Sequence, residues 1–383
     1  MTTGARSLLV VQTALAIALA GCVELKGASA EPDTGAMPRD GAPDGGSVAP
    51  PYDASTGGPA DGAADADDGY ASLAAALAAK RVRLADVPSE WFVSRSRVYA
   101  VDAQKKAHSW KPPSGPTVDY AFTLVSYSHL SGNDDYVVDV ADDITVYAAG
   151  EPNHLLGVVD DSAAWDEVKA ASKAIVIVHA NGTGRDLHLW DPAVAPAPSS
   201  VLSFAEPGGL RFMRSHGDTL YYAAPAGTTL WTIDTAKKSA TASVLPHTAN
   251  ALDVANGRIV IESATGGSVS HALVEDGKPP RDLTAEISAT TSIVPKSARM
   301  AVGSFSQYGD WLVYAAWGGI LAFDVVGGRL VPCQIRDGAD GLYLSPRVLE
   351  ADKLLVFTRN AGPTQSGASQ GLYYVPLASV LPP

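Results

Sequence analysis

The chain has 383 residues, 46% hydrophobic and 18% charged, with 41 acidic side chains against 28 Lys and Arg and a formal charge of −13. That much apolar material supports a large core and excludes wholesale disorder, and the acidic balance argues against a nucleic-acid-binding chain. Two cysteines exclude both a disulfide-stapled scaffold and a cysteine-rich zinc module.

Residues 1–21 read as an address. Arg6 supplies a positive start, and Leu8 to Ala20 form a largely apolar stretch of 13 residues. A bilayer-spanning helix needs about 20 apolar residues, so the stretch suits a secretory signal instead. It ends Leu19-Ala20-Gly21-Cys22. These four residues resemble the lipobox of bacterial lipoproteins, in which an aliphatic and two small residues precede an invariant cysteine. The resemblance implies signal-peptidase recognition of Leu19, Ala20 and Gly21 and cleavage before Cys22. It also implies diacylglycerol on the Cys22 sulfur and a fatty-acyl chain such as palmitate on the new amino terminus. More than one acyl chain is what stable anchoring requires. Val23 follows where Asp would suggest inner-membrane retention in the enterobacterial pattern. The expected location is therefore the cell envelope, at the outer membrane, on its periplasmic face or at the cell surface.

Residues 22–70 read as a tether. Positions 23–70 carry 10 acids against two bases, with 9 Gly and 6 Pro. Large apolar residues are scattered singly, with no period that would make a face to bury. Such a segment cannot offset its ordering entropy, so disorder is expected. As a flexible coil it spans about 35–40 Å. Asp65-Ala-Asp67-Asp68-Gly69 falls short of a calcium loop, because Gly sits at position 5 and Ala76 stands where the twelfth-position Glu belongs. Residues 71–87 then turn Ala- and Leu-rich, with Ser72 as a helix N-cap, Lys80, Arg81 and Arg83 near the end, and Pro88 as a stop. One short helix is expected there.

Residues 88–383 carry a recurring hairpin: a β-rich strand, a turn, and a second strand ending aliphatic or aromatic, then Asp. The units end at Asp102, Asp160, Asp191, Asp234, Asp276, Asp324 and, with Pro in the Asp slot, Pro376. Gly217-Asp218-Thr-Leu-Tyr-Tyr matches Gly309-Asp310-Trp-Leu-Val-Tyr, and Leu230-Trp-Thr-Ile-Asp234 matches Ile320-Leu-Ala-Phe-Asp324. The mean spacing from Asp102 to Asp324 is about 44 residues, the period of a four-stranded propeller blade. A blade cannot bury both faces alone, but a ring of blades can. The expected fold is therefore an all-β propeller of six to eight four-stranded blades, with seven favoured. Residues 84–101 or the tail 377–381 could close the ring by completing one shared sheet. The short interval from Asp160 to Asp191 leaves six blades open. The hairpins resemble TolB-like lipoprotein propellers and quinoprotein-type periplasmic repeats. They lack the Thr-Gly pair of the quinoprotein tryptophan-docking motif, and the Gly-His and Trp-Asp signature of WD repeats is absent.

Catalytic signatures are scarce. Gly266-Gly-Ser268-Val-Ser270-His271 lacks the final Gly and the helix of a serine nucleophile elbow. There is no phosphate loop and no His-Glu-x-x-His helix. His179 and His188 lie across one hairpin with only Asp186 near, too few ligands for zinc. Asn133, Asp134, Asp135, Asp139, Asp142 and Asp143 form the densest acidic stretch, read as a strand with solvated turns. Cys333 reads as a buried thiol. The hairpin-terminal Asp residues should bond nearby backbone N–H groups. Tyr221, Tyr222, Trp231, Tyr314, Trp317, Tyr373 and Tyr374 recur at matching positions, which predicts packing between blades. A carbohydrate platform at Trp317 is the sharper alternative.

The reading that follows is a lipid-anchored envelope protein. Its propeller serves as a non-enzymatic binding or scaffolding module for a protein or an envelope component. No cofactor and no metal is expected. The alternative is a glycan-binding or glycan-active propeller with carboxylates in its axial channel.

Overall fold

The computed structural model describes residues 81–381, apart from 125–128, 142, 161–164, 172, 183, 206–211, 224–226, 266–267, 276, 291–304, 317–318, 337–340 and 362–369. All described residues belong to the compact unit spanning 60–383. The lipobox residues Leu19, Ala20, Gly21 and Cys22, the tether 22–70 and residues 71–80 lie outside the described residues.

Among the described residues, twenty-eight strands form seven four-stranded antiparallel sheets. Blade 1 is β2 (Glu90–Val93), β3 (Val98–Val101), β4 (Lys106–Trp110) and β5 (Val118–Thr123). Blade 2 is β6 (His129–Gly132), β7 (Tyr136–Val140), β8 (Asp143–Ala148) and β9 (Leu155–Asp160). Blade 3 is β10 (Trp165–Ala170), β11 (Ile175–Asn181), β12 (Gly184–Trp190) and β13 (Ser199–Phe204). Blade 4 is β14 (Phe212–His216), β15 (Thr219–Ala223), β16 (Thr229–Asp234) and β17 (Ser239–Val244). Blade 5 is β18 (Ala251–Ala255), β19 (Arg258–Thr265), β20 (Ser268–Glu275) and the two-residue β21 (Arg281–Asp282), followed by helix α1 (Leu283–Thr290). Blade 6 is β22 (Phe305–Tyr308), β23 (Trp311–Ala316), β24 (Gly319–Asp324) and β25 (Arg329–Arg336). Blade 7 is β26 (Gly341–Leu349), β27 (Leu354–Ala361) and β28 (Gly371–Pro376), completed by β1 (Val82–Ala85) from the start of the domain.

The ring is thus shut by its own N-terminal strand. Val82, Arg83 and Ala85 of β1 pair with Tyr374, Tyr373 and Leu372 of β28. This overturns the expected helix over its described part: the run Val82–Ala85 is extended. Pairing with β28 decides the matter, and Leu84 and Ala85 pack onto the core shared by blades 7 and 1. The closing strand was anticipated near residue 84 or in the tail. The tail instead forms a 3-10 turn, Leu377–Ser379, that buries Leu377, Val380 and Leu381.

Seven apolar clusters lie between successive blades, one per interface, which is what a closed seven-membered ring requires. The second strands are nearly all apolar, as strands covered on both faces must be; Val98, Tyr99, Ala100 and Val101 of β3 are all buried. Tyr222, Tyr314, Tyr373 and Tyr374 are buried in these interfaces, and Trp231 packs partly buried against Phe204 with ring centroids 5.0 Å apart. Their recurrence in the sequence reflects blade packing.

The hairpin units fall into place with one correction. From Ala174 onward each unit is the second and third strand of a blade. The first two units slip out of phase: Trp91–Asp102 spans the first and second strands of blade 1, and Ile144–Asp160 spans the third and fourth of blade 2. Third strands actually end at Trp110, Ala148, Trp190, Asp234, Glu275, Asp324 and Pro376, between 38 and 52 residues apart. The short interval that left six blades open came from that slip. Units four and six are true copies. Thr219 pairs with Asp234 as Trp311 pairs with Asp324. The residue after each Asp donates its N–H to the carbonyl of Asp218 or Asp310, at 2.9 and 2.8 Å. Asn256 and Gly257, both at positive φ (51° and 71°), make the tight turn between β18 and β19 that their sequence predicts.

Candidate functional site

The first strand of each blade lines the ring axis, and neighbouring first strands approach one another: β14 and β18, β18 and β22, β22 and β26, β26 and β2, β6 and β10. Several of these strands carry charged residues. On β10, Val168 and Ala170 are buried against blade 2, which leaves Glu167 and Lys169 on the other face. Arg214 stands on β14, Asp253 on β18, Gln307 on β22, Arg347 on β26 and Glu90 on β2.

Polar contacts step from blade to blade around this inner rim. Asp253 lies 3.5 Å from Arg214 Nε, and its Oδ2 accepts the Gln307 N–H at 2.8 Å. Gln307 Nε2 donates to the Asp253 carbonyl at 2.5 Å. Arg347 Nη1 donates to the carbonyls of Phe305 at 2.6 Å and Pro346 at 3.0 Å. Between blades 2 and 3 the Ala170 N–H donates to Ser131 Oγ at 2.9 Å. Blade 7 meets blade 1 through the Ala351 N–H and the Arg95 carbonyl at 3.0 Å. Backbone-directed bonds of this kind fix the blades in one relative position.

The cations also feel one another across the ring. Burial, then the fields of Arg214 and Arg347, press the Lys169 ammonium down to about 8 against the opposing pull of Glu167 and Asp253. Burial and Arg214 likewise hold the Arg347 guanidinium down at about 10, against Asp253 and Glu262. Burial raises the Glu90 carboxyl, and Lys105 and Lys169 partly offset that rise. Blades 3 and 7 stand on opposite sides of a seven-membered ring. Lys169 and Arg347 stand on the first strands of these two blades. Both are half-buried, open to solvent yet surrounded by protein. The first strands therefore carry Lys169, Arg214 and Arg347, with Glu167 and Asp253 among them.

The sequence singled out none of these residues. They lie in four blades, and no spacing connects them until the phase of the blades is known. A usable signal was present: Glu167-Val168-Lys169-Ala170 alternates charged with apolar just before the continuous apolar run Ile175–Val178.

The candidates that sequence did single out have other roles. His179 and His188 meet edge to face with ring centroids 4.9 Å apart, while Asp186 accepts bonds from Ser203 Oγ and Asn181 Nδ2. Among the described residues no group of three or more His, Cys, Asp or Glu is arranged to hold a metal ion. In the acidic stretch, Asn133 is buried and accepts the N–H groups of Asp135 and Tyr136 at 2.8 and 2.6 Å, and Asp134 accepts the Ser96 N–H of blade 1 at 2.9 Å. Asp139 sits on β7, where burial lifts its carboxyl to about 6. Cys333 lies on β25 and Ser268 opens β20, with side chains outside the description, as is all of Trp317. Four of the hairpin-terminal Asp residues cap turns as expected: Asp102 accepts from Lys106, Asp191 from Ala193, Asp234 from Lys237, and Asp324 from Val326 and Gly327; the side chains of Asp160 and Asp276 lie outside the described residues.

Neither a protein-family model nor a curated protein matches the sequence. Solved structures do. The chain is similar to one described as RRP9 WD40 repeats, with TM-score 0.53, 14% identity, and coverage of 78% of this chain and 98% of that one. It is also similar to the structure of U3-55K, with TM-score 0.52, 14% identity and coverage of 78% and 99%. A third is the β-propeller domain of Cps50 (Swd1) from Myceliophteria thermophila, with TM-score 0.50, 10% identity and coverage of 77% and 99%. At such identities the likeness concerns architecture alone: the chain folds as a seven-bladed β-propeller.

Proposed function

We propose that this chain is a non-enzymatic binding propeller, held at the cell envelope by acylation of Cys22 and turned toward a protein or an envelope component. One observation carries the binding role: the first strands of four blades place Glu167, Lys169, Arg214, Asp253 and Arg347 on the inner rim of the ring. A charged, concave, pre-organised site on a rigid ring is how scaffolds of this class recognise ligands. The Leu19-Ala20-Gly21-Cys22 sequence supports the anchor. A catalytic reading would need a carboxylate free to exchange protons. Asp253, the best placed, is instead committed to Gln307 and Arg214.

The test has two arms. Cys22→Ser should move the protein from the membrane fraction to the soluble one. The soluble variant should then rebind isolated envelopes, and saturably. Unchanged membrane fractionation would refute the anchor, and absence of saturable binding would refute the module.

A further inference from the structure

We infer that His108 of β4 is a pH-sensitive staple: as an imidazolium it bonds two carboxylates at once and fastens the outer strand of blade 1, and loss of its proton as pH rises loosens that strand against blade 2. The geometry requires the charge. His108 Nδ1 lies 2.8 Å from Asp119 Oδ1, and Nε2 lies 3.0 Å from Asp102 Oδ2. An ionised carboxylate only accepts hydrogen bonds, so both ring nitrogens must carry protons for both bonds to form. A neutral imidazole has one N–H and keeps one bond. The His108 side chain is 19% exposed and Asp119 is 74% exposed, so the proton can exchange with solvent while the ring stays in place.

The staple sits where the backbone ladder is interrupted. His108 pairs with Asp119 and Lys106 with Thr123, so Tyr120, Ala121 and Phe122 of β5 stand opposite Ala107 alone. Asp119 reaches the imidazole from β5. Asp102 reaches it from the turn after β3, where the Asp102 carbonyl also accepts from Ser89 Oγ at 3.2 Å. The strand so fastened has partners in the next blade. The Phe122 ring stacks on Tyr147 of β8 with centroids 4.8 Å apart, and Tyr120 Oη accepts the Gly150 N–H at 3.2 Å. Releasing Asp119 therefore bears on the junction of blades 1 and 2.

Asp102 and Asp119 are the charged groups that act on the ring. Of the other charged residues around it, Lys106 pairs with Thr123, Lys105 acts on Glu90, and Arg83 of β1 bonds Asp86 and the Gln370 carbonyl. Burial works against the imidazolium, but the bonds to Asp102 and Asp119 outweigh it and raise the group above its ordinary 6.5. A group raised on folding stabilises fully below its unfolded value, and that contribution is lost as pH climbs through the folded one.

The experiment is amide hydrogen exchange of the full chain, read by mass spectrometry at pH 6 and pH 9 and corrected for the intrinsic pH dependence of exchange, together with an NMR titration of its histidine rings. The His108 ring should titrate above pH 6.5. Protection of residues 118–123 should fall about two- to five-fold between the two pH values, the worth of one solvent-accessible charged bond. Protection of β17 in blade 4, which has no titratable side chain, should stay constant. His108→Gln cannot take a charge, so its β5 protection should be equal at both pH values. Asp119→Asn, at an exposed position, should lower the midpoint of the ring and shrink the pH effect. A midpoint at or below 6.5, β5 protection independent of pH in the parent, or an equal fall in His108→Gln would each overturn the inference. Should His108→Gln fail to fold, Asp119→Asn decides: an unmoved midpoint overturns it.

Discussion

Asp139 shows what one residue costs the fold. Its Oδ1 is buried without a hydrogen-bond partner among the described residues, and burial alone lifts its carboxyl to about 6. A carboxyl whose folded value exceeds its unfolded one takes up a proton on folding. Stability contributed by that proton is present at low pH and is lost as pH climbs from the unfolded value toward 6. Asp139→Asn removes the penalty, so the variant should be more stable than the parent above pH 6, with a gain that shrinks toward pH 4. The size is about 1 kcal/mol once the solvent screening of a half-buried group is allowed for. Denaturant melts at pH 4.5 and pH 7.5 read it; an equal gain at both would show that packing, not charge, is responsible. Residues whose partners are near in sequence could be read beforehand: Asp324 and its turn are three residues apart. The Arg214–Asp253 pair could not be, since the two lie in different blades and only the packing of blade 4 on blade 5 brings them together.

At the level of single elements, the hairpins were legible because β-rich runs ending in Asp repeat, and because Asn256-Gly257 can turn only one way. Their phase was not legible where the motif is weakest. Blade 1 ends its third strand on Trp110 and blade 2 on Ala148, neither followed by Asp, so the eye moves to the nearest Asp in the wrong strand. The run before Pro88 misled for a different reason. Arg81, Arg83 and Leu84 have good helix propensity, but pairing with β28 and burial of Leu84 outweigh a preference of a few tenths of a kcal/mol per residue. The Asp cap itself can be weighed. Asp324 Oδ1 accepts from Val326 at 3.0 Å and Gly327 at 2.8 Å. A Cβ on Gly327 would meet Asp324 Oδ2 at 2.5 Å, so the turn is shaped around that carboxylate. Asp324→Ala should cost about 1–2 kcal/mol, seen as a lowered denaturation midpoint with unchanged slope. No measurable change would mean that water replaces the cap.

On the scale of the molecule, the ring depends on β1. Removing residues 1–80 should leave the melting temperature where it was. Removing 1–86 also deletes the four residues that complete blade 7, uncovers part of the core shared with blade 1, and exposes the edge of β28. The loss is about 4 kcal/mol from Leu84 burial and the cross-strand bonds, with a tendency to associate through the bare edge. Calorimetric melts of the two truncations decide it, and identical melts would show that the other blades close without β1. The seven-fold count was nearly readable from the period alone. The axial charges were not, because a channel is a property of the closed ring and of no segment in it.

The seam is formed by β1, the first strand among the described residues. Any tension on the N-terminal segment reaches the ring through β1, and there it is borne by three cross-strand pairs and by Arg83, whose Nη2 donates to the Gln370 carbonyl at 2.9 Å. Strain delivered at that point is spent on one short outer strand, while the remaining six blades each keep all four of their own. The protein thus carries its weakest joint where a pull arrives first and farthest from the charged axis.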